Sequence, residues 1–188
     1  MGDKRALQAG TSHNLGQNFA RAFNVTFQNK DNQEELVYAT SWGVSTRLVG
    51  AVIMAHGDDK GLRLPPKIAP HQVVMVPIAK NENGHLKVRE FISPVLDEMR
   101  KGGIRIYEDW SDNSPGFKFN EWEMKGVPLR LEVGPRDIES GQAVLVRRDT
   151  GEKIILEKNM ITEQTPRLLE EIQKGLFKQA LAFREKNT

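Results

Sequence analysis

Gln72-Val73-Val74-Met75-Val76-Pro77-Ile78 contains an apolar run of strand length with no polar residue after Gln72. A strand with one wet face alternates apolar and polar side chains, so an unbroken run predicts a strand covered on both faces. Outward from it, Leu86 to Arg100 carries apolar residues at helical spacing despite Pro94, and Ile104-Arg105-Ile106-Tyr107 reads as the next strand. This β-α-β opening implies a partly parallel sheet with a right-handed crossover. A helix is predicted over Pro115 to Lys125, carrying Phe117, Phe119, Trp122 and Met124, and Leu129-Arg130-Leu131-Glu132-Val133 alternates as a strand should. Ala143 to Val146 and Lys153 to Leu156 form a hairpin across Asp149-Thr150-Gly151. The last helix, Glu163 to Arg184, repeats Leu168, Leu169, Ile172, Leu176 and Phe177 as a packed face.

Upstream, Pro65-Pro66 forbids an immediate helix and marks a linker after His56-Gly57-Asp58-Asp59-Lys60-Gly61. Ahead of the linker, Ser12 to Phe23 places Leu15, Phe19, Ala22 and Phe23 at helical spacing, with Ser12 as a cap. Val25 to Phe27 and Leu36 to Thr40 are strand-like around a polar turn. Ser45 to His56 is a second helix, apolar nearly all round and therefore expected to be buried. His56, Asp58 and Asp59 are read as a helix terminus and a solvated acidic loop rather than as metal ligands.

The chain has 188 residues, 38% hydrophobic and 28% charged, which describes a soluble globular protein longer than one typical domain. No apolar run reaches the roughly 20 residues of a membrane span, and no signal-peptide block precedes the fold, so a cytoplasmic location without membrane attachment is expected. Zero cysteines exclude disulfides and thiolate metal sites, and four scattered histidines make a zinc site improbable. A net charge of +2 is only mildly basic, so any RNA contact must be local and shape-selective.

Two short segments spend their residues unusually. Gln8-Ala9-Gly10-Thr11-Ser12-His13 and Thr40-Ser41-Trp42-Gly43-Val44-Ser45-Thr46-Arg47 combine small hydroxyl residues, glycines, an imidazole and a guanidinium. Such groups position phosphate, ribose and a small zwitterion. With Leu64-Pro65-Pro66-Lys67-Ile68-Ala69-Pro70, they resemble the third class-defining motif region of the prolyl-tRNA synthetases, in the form shared by archaea, eukaryotes and some bacteria. The resemblance continues through Gly126-Val127-Pro128-Leu129-Arg130 and Gly134-Pro135-Arg136-Asp137 to Ala182-Phe183-Arg184-Glu185, covering nearly the whole chain.

The resemblance implies an α+β and α/β organisation. Residues 1 to 67 would be the C-terminal portion of a class II catalytic domain, with part of its antiparallel sheet and the motif-three strand and helix. Residues 68 to 188 would be an anticodon-binding domain with a mixed sheet and three helices. In this family the carboxylate of proline attacks the α-phosphate of ATP, supplied as its Mg2+ complex, and the prolyl group then passes to tRNA(Pro); no protein-bound metal is required. Such catalysis is mostly positioning and charge stabilisation. Arg47 matches the motif-three arginine that stabilises the triphosphate, the one catalytic side chain implied here; its bland alternative is a carboxylate partner. Gln8 and Thr11 match positions on the adenylate side, Ser45 one contacting ATP, and His13 one lining the proline pocket. Ser45 serves equally as a helix cap, and both roles are compatible because a helix start directs free amides at phosphate. Trp42 and Gly43 would shape the pocket wall, or be a packed aromatic beside a turn glycine.

In the later domain Phe119, Glu123, Arg130, Arg136, Asp137 and Lys153 fill the family's anticodon-contacting positions. Single-stranded RNA is read by stacking splayed bases and hydrogen bonding their edges, and a guanine offers acceptors to an arginine and donors to a carboxylate. Phe119 could instead be core, and Arg136 with Asp137 a loop ion pair. Arg136 stands where the family often has lysine, and Lys153 follows a loop of variable length.

Class II synthetases also use two earlier motifs, for dimerisation and for gripping the α-phosphate, which do not occur in these residues. The 188-residue chain alone is therefore expected not to make prolyl-adenylate and to leave uncovered an apolar surface that favours aggregation or pairing, and a homodimer is expected of the full enzyme. The competing readings are a free-standing RNA-binding protein using the region from about Ile68 onward and an accessory protein built from synthetase parts. The set Gln8, Thr11, His13, Ser45 and Arg47 argues against the first, and the native mass of the gene product would separate the second.

Overall fold

The computed structural model describes residues 5–79 and 81–187. The chain divides into two compact units, Met1–Met54 and Ala55–Thr188.

The second unit is organised around β5 (Val73–Pro77), every residue of which is buried. β5 runs parallel to both β6 (Ile106–Glu108) and β7 (Leu129–Val133). β7 is antiparallel to β8 (Gln142–Arg147), and β8 to β9 (Lys153–Glu157), giving the order β6-β5-β7-β8-β9. The period-two alternation of a strand then sorts the apolar run onto two faces. Val73 and Met75, with Leu129, Leu131 and Leu145, meet α3 (Glu82–Lys101) and α6 (Ile161–Asn187) through Ile92, Leu96, Met99, Ile172 and Leu176. Val74 and Val76 face Trp122 of α4 (Pro115–Met124) and Val127. Both faces are covered, as the unbroken run predicts, and each buried large aliphatic contributes about 1.5–3 kcal/mol.

The helices start where the sequence supplies caps. Asn81 accepts from the Gly84 amide at α3, and Ser114, followed by Pro115 at the first helical position, accepts from Phe117 at α4. A short helix, α5 (Pro135–Ser140), joins the three expected ones. The Asp137 carboxylate accepts the Gly134 amide at 2.7 Å, so Arg136 and Asp137 open a helix instead of pairing with each other in a loop. In α6 the packed face is Leu168, Leu169, Ile172 and Leu176, whereas Phe177 turns outward. One helix of this unit carries a buried ion: Lys118, 1% exposed, donates to the Asp109 backbone carbonyl at 2.9 Å. Burial pushes the Asp109 carboxyl up, but hydrogen bonds from Ser111 and Trp122 and the Lys118 charge outweigh it and hold it below its ordinary value.

The proline-rich segment is fastened to this unit rather than hanging free as a linker. The Arg105 guanidinium donates to the carbonyls of Pro66 and Ala69 at 2.8 and 3.0 Å, and the Lys67 amide donates to Gln173. The compact unit accordingly begins ahead of it, at Ala55.

The first unit is built from hairpins. β1 (Thr11–Gly16) pairs antiparallel with β4 (Ala39–Gly43), and β2 (Thr26–Gln28) with β3 (Glu34–Leu36). The helix predicted from Ser12 is corrected here: Ser12 to Gly16 is strand, and only Asn18–Phe23 is helical, as α1. Gly16 has φ of 53°, which stops a helix passing through it, and the β4 backbone supplies the partners that decide the strand. The strand predicted over Leu36 to Thr40 divides between the two hairpins, because β3 pairs with β2 and β4 with β1. The helix predicted from Ser45, α2 (Arg47–His56), carries no buried residue, contrary to the expectation from its apolar circumference. Ala20 is the one buried hydrophobic residue among the described residues of this unit, while Phe23, Tyr38, Trp42 and Val44 are exposed.

Candidate functional site

Each unit carries one concavity that gathers residues singled out in the sequence. In the first, a hollow of about 360 Å³ is lined by Gln8, Thr11, His13, Ser45 and Arg47 together with Gly43. Strand register explains the gathering. Thr11 is opposite Gly43 and His13 opposite Ser41, so these alternate residues share one face of the β1–β4 pair. Ser12 and Trp42 take the other face, and Trp42, 82% exposed, is neither pocket wall nor packed aromatic. Gly43 does line the hollow, and at Gly10 an added Cβ would come within 3.2 Å of its carbonyl oxygen.

The polar side chains in the hollow are linked. Gln8 donates through Nε2 to the Thr11 hydroxyl at 3.0 Å and accepts from the Arg47 guanidinium at 3.3 Å. The Ser45 hydroxyl accepts the Arg47 amide at 3.4 Å where α2 begins, a long bond that joins its capping position to the wall of the hollow. A guanidinium, two hydroxyls, an amide and an imidazole on one wall can bind an anion and hydrogen bond a sugar or an ammonium group.

In the second unit a cavity of about 190 Å³ is lined by Lys60, Trp122, Glu123, Arg130, Arg148 and Lys153, among others. Arg130 and Lys153 arrive from the sheet: Arg130 is in register with Val146, and Val146 with Lys153, on the face that carries α4. Glu123 comes from the last turn of α4. The Arg130 guanidinium lies 4.3 Å from the centre of the Phe119 ring, and its Nε donates to Glu132 at 2.8 Å, which fixes its orientation. Phe119 is half-buried, and Arg130 keeps 15% of its side chain exposed. Arg136 and Asp137 do not line this cavity; they open α5 beyond the C-terminal end of β7.

Sequence reading passed over Lys60 and Arg148. Lys60 pairs with Glu123 at 3.2 Å. Arg148, 9% exposed, donates to both carboxylate oxygens of Asp58 at 2.6 and 2.9 Å and through Nε to the Glu123 backbone carbonyl at 2.7 Å. Asp58 is thus a fixed ion-pair partner, not part of a solvated loop. The consecutive arginines at the end of β8 were the available signal. Arg147 closes the strand and reaches Asp149 and Glu171 of α6, while Arg148, in the turn just past it, reaches Asp58. Five cations and one carboxylate line the cavity; Arg147 and Arg148 are held by Asp149 and Asp58, which leaves Lys60, Arg130 and Lys153 beside Glu123 as the groups that can meet a polyanion. Among the described residues no three His, Asp or Glu side chains converge to hold a metal ion, and no helix is long and apolar enough to cross a membrane.

The hydrogen bonds from Arg148 hold the Asp58 carboxyl down at about 2, against the opposing effect of burial. A depressed carboxyl stabilises the fold above its unfolded pKa of about 4 and loses that contribution as pH falls through its folded value. With Asp58 a third exposed, solvent screening leaves about 1–2 kcal/mol. Urea midpoints should therefore fall between about pH 4 and pH 2 by more in the wild-type chain than in Asp58→Asn. Equal slopes would show that the ion pair contributes nothing.

Residues 72–171 match the family model described as Anticodon binding domain. Over 185 residues the chain is 52% identical to the proline–tRNA ligase of Symbiobacterium thermophilum, covering 98% of the chain and 38% of that protein. It is 56% identical to the proline–tRNA ligase of Prosthecochloris aestuarii and 52% to that of Clostridium novyi, covering the whole chain and 39% and 38% of those proteins. The chain thus spans about two fifths of the length of these curated relatives.

Proposed function

This chain belongs to the anticodon-binding domain family, and from that premise we propose that it is the tRNA-reading part of a proline–tRNA ligase joined to one wall of the aminoacylation site. The functional division falls near Ile68, with residues 1–67 serving the ligase site and 68–188 reading the anticodon of tRNA(Pro), save that the turn carrying Asp58 and Lys60 lies against α4 and belongs to the anticodon side. The observation that carries this reading is the convergence of Glu123, Arg130 and Lys153 on one basic cavity, with Phe119 stacked against Arg130.

A proline anticodon presents two guanines. Arg130 would donate to guanine acceptors and Glu123 would accept from the donors on the Watson–Crick edge, while Lys153 neutralises backbone phosphate. Arg136 and Asp137, at the start of α5, would contact RNA outside the cavity. In the first unit Arg47 would hold the triphosphate of Mg2+-bound ATP, Gln8, Thr11 and Ser45 the adenylate, and His13 the substrate proline. The apolar residues exposed on that unit fit a surface that the remaining ligase sequence covers, within a cytoplasmic homodimer. The gathering of five residues in the hollow supports this reading over a free-standing RNA-binding module.

Arg130→Ala should weaken binding of a proline anticodon stem-loop by about 10–100-fold and leave a non-cognate loop little changed. Equal losses for both RNAs in a fluorescence titration would reduce Arg130 to a phosphate contact.

A further inference from the structure

We infer that Asp58 and Arg148 are positioning residues for base discrimination: they clamp the end of α4 so that the Glu123 carboxylate meets a guanine edge in one fixed place. The inference rests on Glu123 being a base reader, and adds two residues that touch no RNA in this scheme.

The clamp is a closed circuit of hydrogen bonds. Glu123 lies where a helix runs out of amide partners, and its carbonyl accepts from the Gly126 amide at 3.1 Å and from Arg148 Nε at 2.7 Å. The far edge of the same guanidinium holds Asp58 through both carboxylate oxygens. Asp58 is itself locked in a tight turn, exchanging backbone hydrogen bonds with Gly61 and accepting the Lys60 amide on its side chain. The next residues return to α4, with the Leu62 amide donating to the Met124 carbonyl at 2.9 Å and the Leu64 amide to Gly126 at 3.1 Å. A planar fork grips both oxygens of one carboxylate while its Nε reaches a carbonyl on another edge, a fixed geometry that the converging donors of one lysine ammonium do not reproduce.

The same turn carries Lys60 to the Glu123 carboxylate. Lys60 is 71% exposed at its side chain and Glu123 29%, so the cation can swing to a phosphate when a base takes the carboxylate. The backbone of Glu123 cannot follow it, because Arg148 holds the carbonyl. A base with two donors on its edge then gains both contacts without reorganising the helix end, and a base lacking one leaves the carboxylate half-satisfied.

The test compares the full chain on two anticodon stem-loops, one with guanine and one with inosine, which lacks the 2-amino donor, at the position read by Glu123. Binding is measured at neutral pH, well below the melting temperature of each variant. The wild-type chain should prefer guanine by about tenfold, and Glu123→Gln should bring the two RNAs near parity. Asp58→Asn, and independently Arg148→Lys, should cut the preference below about threefold, with no further loss when combined with Glu123→Gln. Affinity for the inosine loop should barely move, which separates lost positioning from general weakening. If Glu123→Gln loses the preference while Asp58→Asn and Arg148→Lys keep it, the clamp is overturned and the base reader stands. If Glu123→Gln keeps the preference, the base reader falls and the clamp with it.

Discussion

Replacing Arg47 with alanine, in a polypeptide that joins this sequence to the other motifs of a proline–tRNA ligase, is expected to slow proline-dependent ATP–pyrophosphate exchange by about 10²–10³-fold. The expectation follows from where the charge sits. The guanidinium lies on the wall of the hollow, held by the Gln8 side-chain oxygen at 3.3 Å, and Gln8 is in turn bonded to Thr11. A triphosphate entering the hollow would meet a cation already oriented, so its charge is stabilised without reorganisation at the moment of reaction. Arg47→Lys keeps the charge but not the planar fork, and should recover only part of the rate. Gln8→Ala should raise the KM for ATP more than it lowers kcat, because it removes the orienting contact and leaves the charge. Arg47 is exposed, so the fold should survive all three changes. Exchange within tenfold of wild type for Arg47→Ala would remove it from the triphosphate site.

The reach of sequence reasoning differed between the two units for a physical reason. In the second unit the elements are long, periodic and buried, and local pattern agrees with tertiary demand. Val73 to Pro77 could be covered on both faces only inside an α/β layer, and the faces of α3 and α6 are written in their apolar spacing. In the first unit that agreement fails. Ser12 to Gly16 has helical spacing, yet pairing with β4 overrides it, as tertiary context overrides weak propensity. The apolar circumference of α2 asks for a burial that the described residues do not supply. The residues of the hollow were nonetheless legible through the resemblance that singled out Gln8, Thr11, His13, Ser45 and Arg47, whereas the strand pairing that gathers them was hidden by the helical spacing from Ser12.

The RNA cavity was legible only in part. Phe119 and Glu123 share a helix and Arg130 follows on the next strand, so a reading along the chain finds them. Lys60 and Arg148 are brought in by contacts between distant segments, and nothing local announces that Asp58 accepts a guanidinium from a residue far along the chain. The acidic turn looked solvated because its partner is remote. Gly126, read only as part of a motif, turns out to be the hinge of this arrangement.

Gly126→Ala should destabilise the chain by about 2–4 kcal/mol in urea unfolding, by combining backbone strain with overpacking. Gly126 has φ of +74°, and a Cβ there would stand 2.5 Å from the Leu62 Cβ and 2.6 Å from its carbonyl oxygen. Leu62 has little room to retreat, because its amide is bonded to Met124 and that of Leu64 to Gly126 itself. The crowding is reciprocal: at Gly61, with φ of +128°, a Cβ would lie 2.5 Å from the Met124 carbonyl oxygen. Two glycines therefore let the segment carrying Asp58 and Lys60 lie against the end of α4. Forcing them apart moves Lys60 from Glu123 and strains the Arg148 bridge, so preference for guanine over inosine should fall even at temperatures where the variant is fully folded. A loss below about 1 kcal/mol would mean that the segment yields and that its close approach to α4 is not required by the fold. A large loss of stability with the base preference intact would instead assign this contact to folding alone.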